Sequence, residues 1–340
     1  MTVFLEETNR ARYLAIDGGN SKTDVLIGDD TGQVLGYARG PGTCHQNIGL
    51  DETMARLRSL VAQARRQAGP RAVVRADVFL AGADLPAEVE LLTRAVAAEQ
   101  WSADLALEND TFALLRAGTD APDAVAVVCG AGINCVGRTG DGRTARFPSL
   151  GRLSGDWGGG GHLSWLALWH AVRGEDGRGP ATDLTRAVAE HFGLPTAEAV
   201  GAAMHLQELE PARLAELSPV LFTVAEAGDR VAGEVVDRQA QEIVSLATVA
   251  ARRLGLLDAP FVVVLGGGVL RARPPRLHTA VVDGIHALAP KASITVVDAP
   301  PVLGAALSAL DALGATPAAH EVVRAALAAL PPATRAASGR

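Results

Sequence analysis

The sequence predicts an α/β protein of two domains, each a mixed sheet plus helices, around a central cleft. Three observations predict it. Residues 13–40, "YLAIDGGNSKTDVLIGDDTGQVLGYARG", read as strand, glycine corner, strand, turn and strand. Residues 124–147 repeat that pattern, though not the residues. Helical and strand-like segments alternate around both stretches. A chain of 340 residues with 48% hydrophobic content can build two cores.

The elements follow in order. Residues 13–16 are strand-like and end on Asp17; 25–27 begin a return strand, and 34–38 a third. Gly18, Gly19 and Asn20 could supply the positive φ angles of a tight turn. A hairpin needs no ligand to explain it. The same corner also offers backbone donors, the hydroxyls of Ser21 and Thr23, and Lys22, a set able to wrap phosphate oxygens. Asp17 at a strand end could hold a hydrated magnesium ion. Both readings stand on this stretch alone. Leu57, Leu60, Val61 and Ala64 at helical spacing predict a helix over 50–67. Strand 76–81, helix 88–99 and a short strand over 105–107 come next. "END" at 108–110 then opens a helix over 111–116.

The second unit has a strand over 124–129, a corner at Gly130, Ala131 and Gly132, a return strand over 133–138 and a third over 143–147. The glycine-rich "SGDWGGGGHLSW" leads into a helix. Residues 181–255 read as helical, with breaks at 193–195 and near Pro211. Strand 260–265 ends in Gly266, Gly267 and Gly268; 293–297 is the last strand and 301–313 an Ala/Leu helix.

The formal net charge of −7, with both signs interspersed, argues against nucleic-acid or anionic-membrane binding. Glu6 and Glu7 stand where a signal peptide would need apolar residues, and no apolar run predicts a bilayer span, so the expected location is the cytoplasm. The three cysteines, Cys44, Cys129 and Cys135, form no disulfide framework and no zinc pattern.

Four glycine corners stand in one order: "AIDGGNSKT", "VVCGAGINC", "SGDWGGG" and "VVVLGGGV", with "END" between the first two. Together they resemble the sugar kinase, actin and heat-shock ATPase superfamily, and within it the BadF/BadG/BcrA/BcrD ATPase family, over about residues 13–313. The resemblance implies two actin-like (ribonuclease H-like) domains. The first spans 1–118, with a helix near 301–315 packing back on it; the second spans 119–300, with a helical insertion near 160–255; 316–340 is a partly disordered tail.

It further implies ATP and Mg2+ as cofactors, a small-molecule sugar as substrate and a homodimer. The activity implied is phosphorylation of a sugar hydroxyl, the 6-hydroxyl of N-acetylglucosamine or a related amino sugar. Carried over by position, Gly18, Gly19, Asn20, Ser21, Lys22 and Thr23 form the first phosphate loop, with Asp17 as the metal-linked acid. Gly130, Ala131 and Gly132 form the second loop, and Gly266, Gly267 and Gly268 lie against the adenosine. Asp110 is the base that takes the proton from the sugar hydroxyl, while Asp156 contacts the sugar. Asn109, Asn134, Trp157 and the loop residues Cys44, His45, Gln46 and Asn47 complete the expected substrate set.

On residues alone, Asp110 could equally be a helix cap, Asp156 a turn residue, Trp157 a core anchor and His45 a loop residue. The sequence departs from the family pattern at Asn20, at Ala131, at Trp157 and Gly159, and at Cys44, which stands where acetylglucosamine kinases have a sugar-contacting asparagine. Two other roles fit the superfamily: an ATPase that activates a 2-hydroxyacyl-CoA dehydratase or benzoyl-CoA reductase through a cysteine-held iron–sulfur cluster, and a non-catalytic sugar sensor.

Overall fold

A computed structural model describes residues 10–329. The chain divides into two compact units. One joins the stretch up to Asp120 with the stretch from Asp298 onward; the other is Ala121–Val297.

The first unit holds β1 (Arg12–Gly18), β2 (Lys22–Asp29), β3 (Val34–Pro41), β4 (Arg75–Leu80) and β5 (Asp104–Asn109) in the order β3-β2-β1-β4-β5. β1, β2 and β3 pair antiparallel, while β4 and β5 add in parallel. Leu14 and Ile16 of β1 and Val25 and Ile27 of β2 pack with Leu57, Leu60 and Val61 of the helix Leu50–Ala68. The helix Val302–Ala312 also lies against β1 and β4. Cover on both faces is why β1 reads as an unbroken apolar run. Val302–Ala312 approaches the helix Asp110–Gly118 so closely that a Cβ at Gly304 would sit 1.7 Å from the Ala113 carbonyl oxygen. The tie is polar as well: Ser308 donates to Asp77 at 2.8 Å, and Arg116 Nε to Asp311 at 2.7 Å.

The second unit holds β6 (Ala124–Cys129), β7 (Ile133–Arg138), β8 (Thr144–Arg146), β9 (Phe261–Gly266) and β10 (Ala292–Val296) in the order β10-β9-β6-β7-β8. The pairing repeats the first unit strand for strand: β6–β7–β8 is antiparallel, and β9 and β10 add in parallel. Val125, Val127 and Cys129 pack in one core with Ile243, Ala247 and Ala250 of the long helix Arg230–Leu254.

Two expectations need correction. Gly18, Gly19 and Asn20 do not adopt positive φ. Gly19 N–H instead donates to the Lys22 carbonyl at 2.9 Å, and Gly18 is required by packing, since a Cβ there would meet Thr43 Oγ1 at 2.4 Å and Leu80 Cδ2 at 2.5 Å. Residues 181–255 contain a third helix break. Gly228, at φ 99°, follows the helix Leu217–Glu226, and Asp229 caps Arg230–Leu254 by accepting from Ala232 N–H. The loop after β3 carries a one-turn helix, His45–Ile48. Of the stretch expected as a tail, Pro317–Ala328 is a helix that buries Ala319, Val323 and Leu327, and residues 330–340 lie outside the described residues. Among the described residues no helix is long and apolar enough to cross a membrane.

Candidate active site

The first unit gathers acids at the C-terminal ends of β1 and β5. Asp17 closes β1 and is 4% exposed; its cross-strand partner is Asp24. Burial drives the Asp17 carboxyl well above the usual carboxylate range, and the nearby Asp110 and Asp24 push it further, against Lys22 and Arg39. Asp24 is fully buried and accepts from Arg39 Nε and from the Tyr37 hydroxyl, each at 2.5 Å, with Lys22 Nζ at 3.8 Å. Asp110 begins the helix after β5. It is half-buried, and desolvation pushes its carboxyl up to about 6, partly offset by the Thr111 amide. Asn109, not Asp110, is the cap: its side chain accepts from Thr111 N–H at 2.9 Å.

The corner between β1 and β2 is bound to the loop after β3. Thr43 N–H donates to the Gly19 carbonyl at 3.1 Å, the hydroxyls of Thr23 and Thr43 lie 2.9 Å apart, and Asn47 Nδ2 donates to Asn20 at 2.8 Å. Gly42 belongs to this seam, because a Cβ there would lie 2.1 Å from the Asn20 carbonyl oxygen. Thr23 and Gly18 are therefore interior and shape the corner from below; Gly19, Asn20, Ser21 and Lys22 reach its surface. The Cys44 thiol is 3% exposed, beside His45 near Gly82, and burial raises its pKa. Of the four expected substrate residues in this loop, Gln46 and Asn47 are exposed.

Sequence reasoning missed Thr43, Asp84 and Glu88. Asn109 Nδ2 donates to Asp84 Oδ1 at 2.8 Å, while Gln46 Nε2 donates to Glu88 at 2.8 Å and to Asp84 Oδ2 at 3.3 Å. His45 Nε2 lies 3.7 Å from Glu88. The hydrogen-bonded partners are 25 to 42 residues apart in the chain and His45 and Glu88 are 43 apart, so no local pattern marks them.

The second unit brings three glycine corners together through backbone alone. Gly160 N–H donates to the Gly130 carbonyl at 2.7 Å, and Gly161 N–H to the Ala131 carbonyl at 3.0 Å. A Cβ at Gly159 would sit 2.6 Å from the Gly132 carbonyl carbon. At Gly267, with φ 87°, a Cβ would sit 2.4 Å from the Cys129 carbonyl oxygen. Gly266 is buried and Gly268 exposed. Asn134 accepts from the Cys135 N–H at 2.6 Å.

Gly132 and Asp156 line one hollow of about 340 Å³, with Ser149, Arg152, His162 and Trp165. Asp156 Oδ2 accepts from Gly151 N–H at 2.9 Å and from Ser154 Oγ at 2.8 Å, which fixes its carboxylate. His162, another residue missed from the sequence, accepts from Gly158 N–H at 3.0 Å, and burial together with Arg152 lowers its pKa. Trp157 packs against the core of this unit, edge-on to His162 at 5.0 Å. Cys129 and Cys135 are fully buried, and burial pushes the Cys129 thiol up to about 12.

Asp17 fits a role beside a magnesium ion. It is a buried carboxyl whose charge is opposed by burial and by two more acids, and a divalent cation would reverse that balance. One carboxylate beside phosphate oxygens is an ordinary arrangement for magnesium.

The family model described as BadF/BadG/BcrA/BcrD ATPase matches residues 14–309. The chain belongs to this family. Within reach of the BadF/BadG/BcrA/BcrD group, an N-acetyl-D-glucosamine kinase of Dictyostelium discoideum is 26% identical over 312 residues, covering 88% of this chain and 98% of that protein. An N-acetylmuramic acid/N-acetylglucosamine kinase of Clostridium acetobutylicum is 24% identical over 260 residues, covering 76% of this chain and 85% of that one. Among solved structures, a candidate N-acetylglucosamine kinase of Chromobacterium violaceum shares the fold at a TM-score of 0.66 and 22% identity, covering 87% of this chain and 98% of that one.

Proposed function

We propose that this chain is an ATP-dependent kinase that phosphorylates a hydroxyl of an amino sugar, the 6-hydroxyl of N-acetylglucosamine being the first candidate. The observation that carries the reading is the pair Asp17 and Asp110. One is a buried acid at the first glycine corner; the other is a half-buried acid at a helix start, with its pKa raised to about 6. A carboxylate so tuned is largely ionised at pH 7 yet more basic than an ordinary aspartate, which suits a general base. Family membership and the names of the relatives support the same reading.

In this mechanism Asp110 accepts the proton of the attacking sugar hydroxyl. Gly19, Asn20, Ser21 and Lys22 hold phosphate oxygens, and so do the N–H groups of Ala131 and Gly132, at a corner that the Gly130 N–H closes by donating to the Gly132 carbonyl at 2.9 Å, while Gly266, Gly267 and Gly268 receive the adenosine side. Asp17 would help to hold a magnesium ion, whose charge would supply neutralisation at the phosphates. Asp156, fixed by Gly151 and Ser154, orients the sugar together with Asn134 and the loop Cys44–Asn47. The Asn109 amide is engaged by Asp84 and Thr111, so its contribution is to set Asp110 in place.

The activator reading requires cysteines able to reach a shared cluster. All three here are buried, two of them in the core beside the second corner, which favours the kinase. The protein is proposed to work in the cytoplasm as a homodimer. A panel of amino sugars and neutral hexoses with ATP and magnesium, read by ADP release, tests the function. Turnover with an amino sugar above the sugar-free rate is expected; ATP hydrolysis indifferent to every sugar would overturn the assignment.

A further inference from the structure

The cluster around Asp84 lies off the expected chemistry, yet it touches both sides of it. Asp84 Oδ1 accepts from Asn109 Nδ2 at 2.8 Å, and Asn109 in turn caps the helix that begins with Asp110. Asp84 Oδ2 accepts from Gln46 Nε2 at 3.3 Å, and Gln46 is the exposed tip of the loop after β3. Glu88 braces the cluster: it accepts from Gln46 at 2.8 Å and from Leu85 N–H at 2.9 Å, and it stands in the first turn of the helix Pro86–Ala98. Both Asp84 contacts are amide donors to a carboxylate, which makes them stronger than neutral pairs.

We propose that Asp84 is a positioning residue that holds the base-bearing turn and the sugar-reading loop in one register, with one carboxylate oxygen on each. The proposal rests on Asp110 as the base. Asp84 touches neither the reacting hydroxyl nor the phosphate; it acts by fixing the Asn109 amide, and through it the direction in which Asp110 leaves the helix start. Misplacement of a base by about 1 Å costs up to about 10²-fold in rate. Its second contact sets the position of Gln46, which predicts a separate effect on sugar binding.

The two oxygens can be tested separately. Asp84→Ala removes both acceptors; Asp84→Asn keeps one oxygen for the Asn109 amide. Asp84→Ala is expected to lower kcat roughly tenfold or more and to raise the sugar KM, with the ATP dissociation constant within about threefold of wild type. Asp84→Asn should recover most of kcat while the sugar KM stays raised. In an Asp110→Asn background, Asp84→Ala should cost no further kcat, because a positioning residue has nothing left to aim.

Equal kcat losses in Asp84→Ala and Asp84→Asn, or a full additional loss in the Asp110→Asn background, would overturn the proposal. Near-wild-type turnover of Asp110→Asn alone would instead strike the base assignment on which it rests. Thermal unfolding of each variant separates loss of register from loss of fold, and Asp84→Asn, close in shape, provides the reading if Asp84→Ala fails to fold.

Discussion

β1 and β6 occupy the same place in two sheets of the same topology, and both run into a glycine corner. β1 carries Asp17 one residue before its end at Gly18, and β6 ends on Cys129. Around the first corner the unit buries Asp17 and Asp24 and surrounds them with Lys22, Arg39 and Asp110. Around the second it buries thiols and aligns bare backbone from three glycine segments. The difference teaches that one architecture can be specialised by what terminates a single strand. A carboxylate there creates a charged centre suited to a cation and proton transfer. A thiol kept neutral by burial adds no charge of its own, so the polar groups of the corner itself are backbone ones, whose N–H donors suit an anion.

The largest effect should come from the charged half. Asp110→Asn is expected to lower kcat by roughly 10²-fold or more, with ATP binding retained. The pH profile sharpens this. The base works when ionised, so wild-type kcat/KM should rise with pH through about 6 and level off above it, and the variant should lose that limb. Turnover close to wild type would mean the acid is only structural.

Asp17→Asn comes next. Turnover with magnesium should fall roughly tenfold or more, but stability should not. Raised folded-state pKa values mean that the folded protein binds the proton more tightly than the unfolded chain, so stability drops as pH rises above about 4, the unfolded value. Removing this acid should thus leave the unfolding midpoint at pH 7 unchanged or raised, with the gain vanishing below about pH 4. A lowered midpoint at neutral pH would show that Asp17 is needed for folding rather than for chemistry.

The backbone half is probed by Gly267→Ala. The residue stands at φ 87° with the Cys129 carbonyl 2.4 Å from the added carbon, so the corner must shift. Strain of this kind costs on the order of 1–3 kcal/mol. ATP affinity should weaken about tenfold while the pH profile keeps its shape, because the charged half is untouched. A changed profile would mean that the two halves do not divide the work in this way.

The smallest effect is expected at Cys44→Asn. It should alter the ratio of catalytic efficiencies among sugars by a few-fold and leave the KM for ATP alone, since an amide offers stronger hydrogen bonds than a thiol. An unchanged sugar ranking would assign specificity to Asp156 and its neighbours.

Much of this contrast was legible before any coordinates. The order of the corners, the strand-ending Asp17 and the "END" turn are local patterns of a few residues. The reasons behind them were less legible. Gly18 looks like a turn residue, but it is held by contact with Thr43 and Leu80, 25 and 62 positions away. Gly42 gives no sign in the sequence that it must clear the Asn20 carbonyl. Asp84, Glu88 and His162 look like ordinary loop or helix-start residues; only tertiary packing turns their polar atoms toward Asn109, Gln46 and Gly158. Helix ends marked by a cap or a left-handed glycine were legible where the run was long, and missed at Gly228, where a single residue interrupts an otherwise helical composition.

The helix Val302–Ala312 has a consequence for how the chain is made. It packs on β1 and β4, leaves room only for hydrogen at Gly304, and holds Asp77 and Arg116 through Ser308 and Asp311. The charged unit therefore lacks part of its core until more than 300 residues have been synthesised, whereas the backbone unit is continuous in sequence and has all its strands by Val296. Emerging from a ribosome, the chain would complete its second unit before its first, against the usual N-terminal-first order. Asp17 and Asp24 would meanwhile wait in a sheet covered on one face, their charges still open to water. Desolvation, and with it the shifted proton affinity of Asp17, would arrive only when the helix Val302–Ala312 docks.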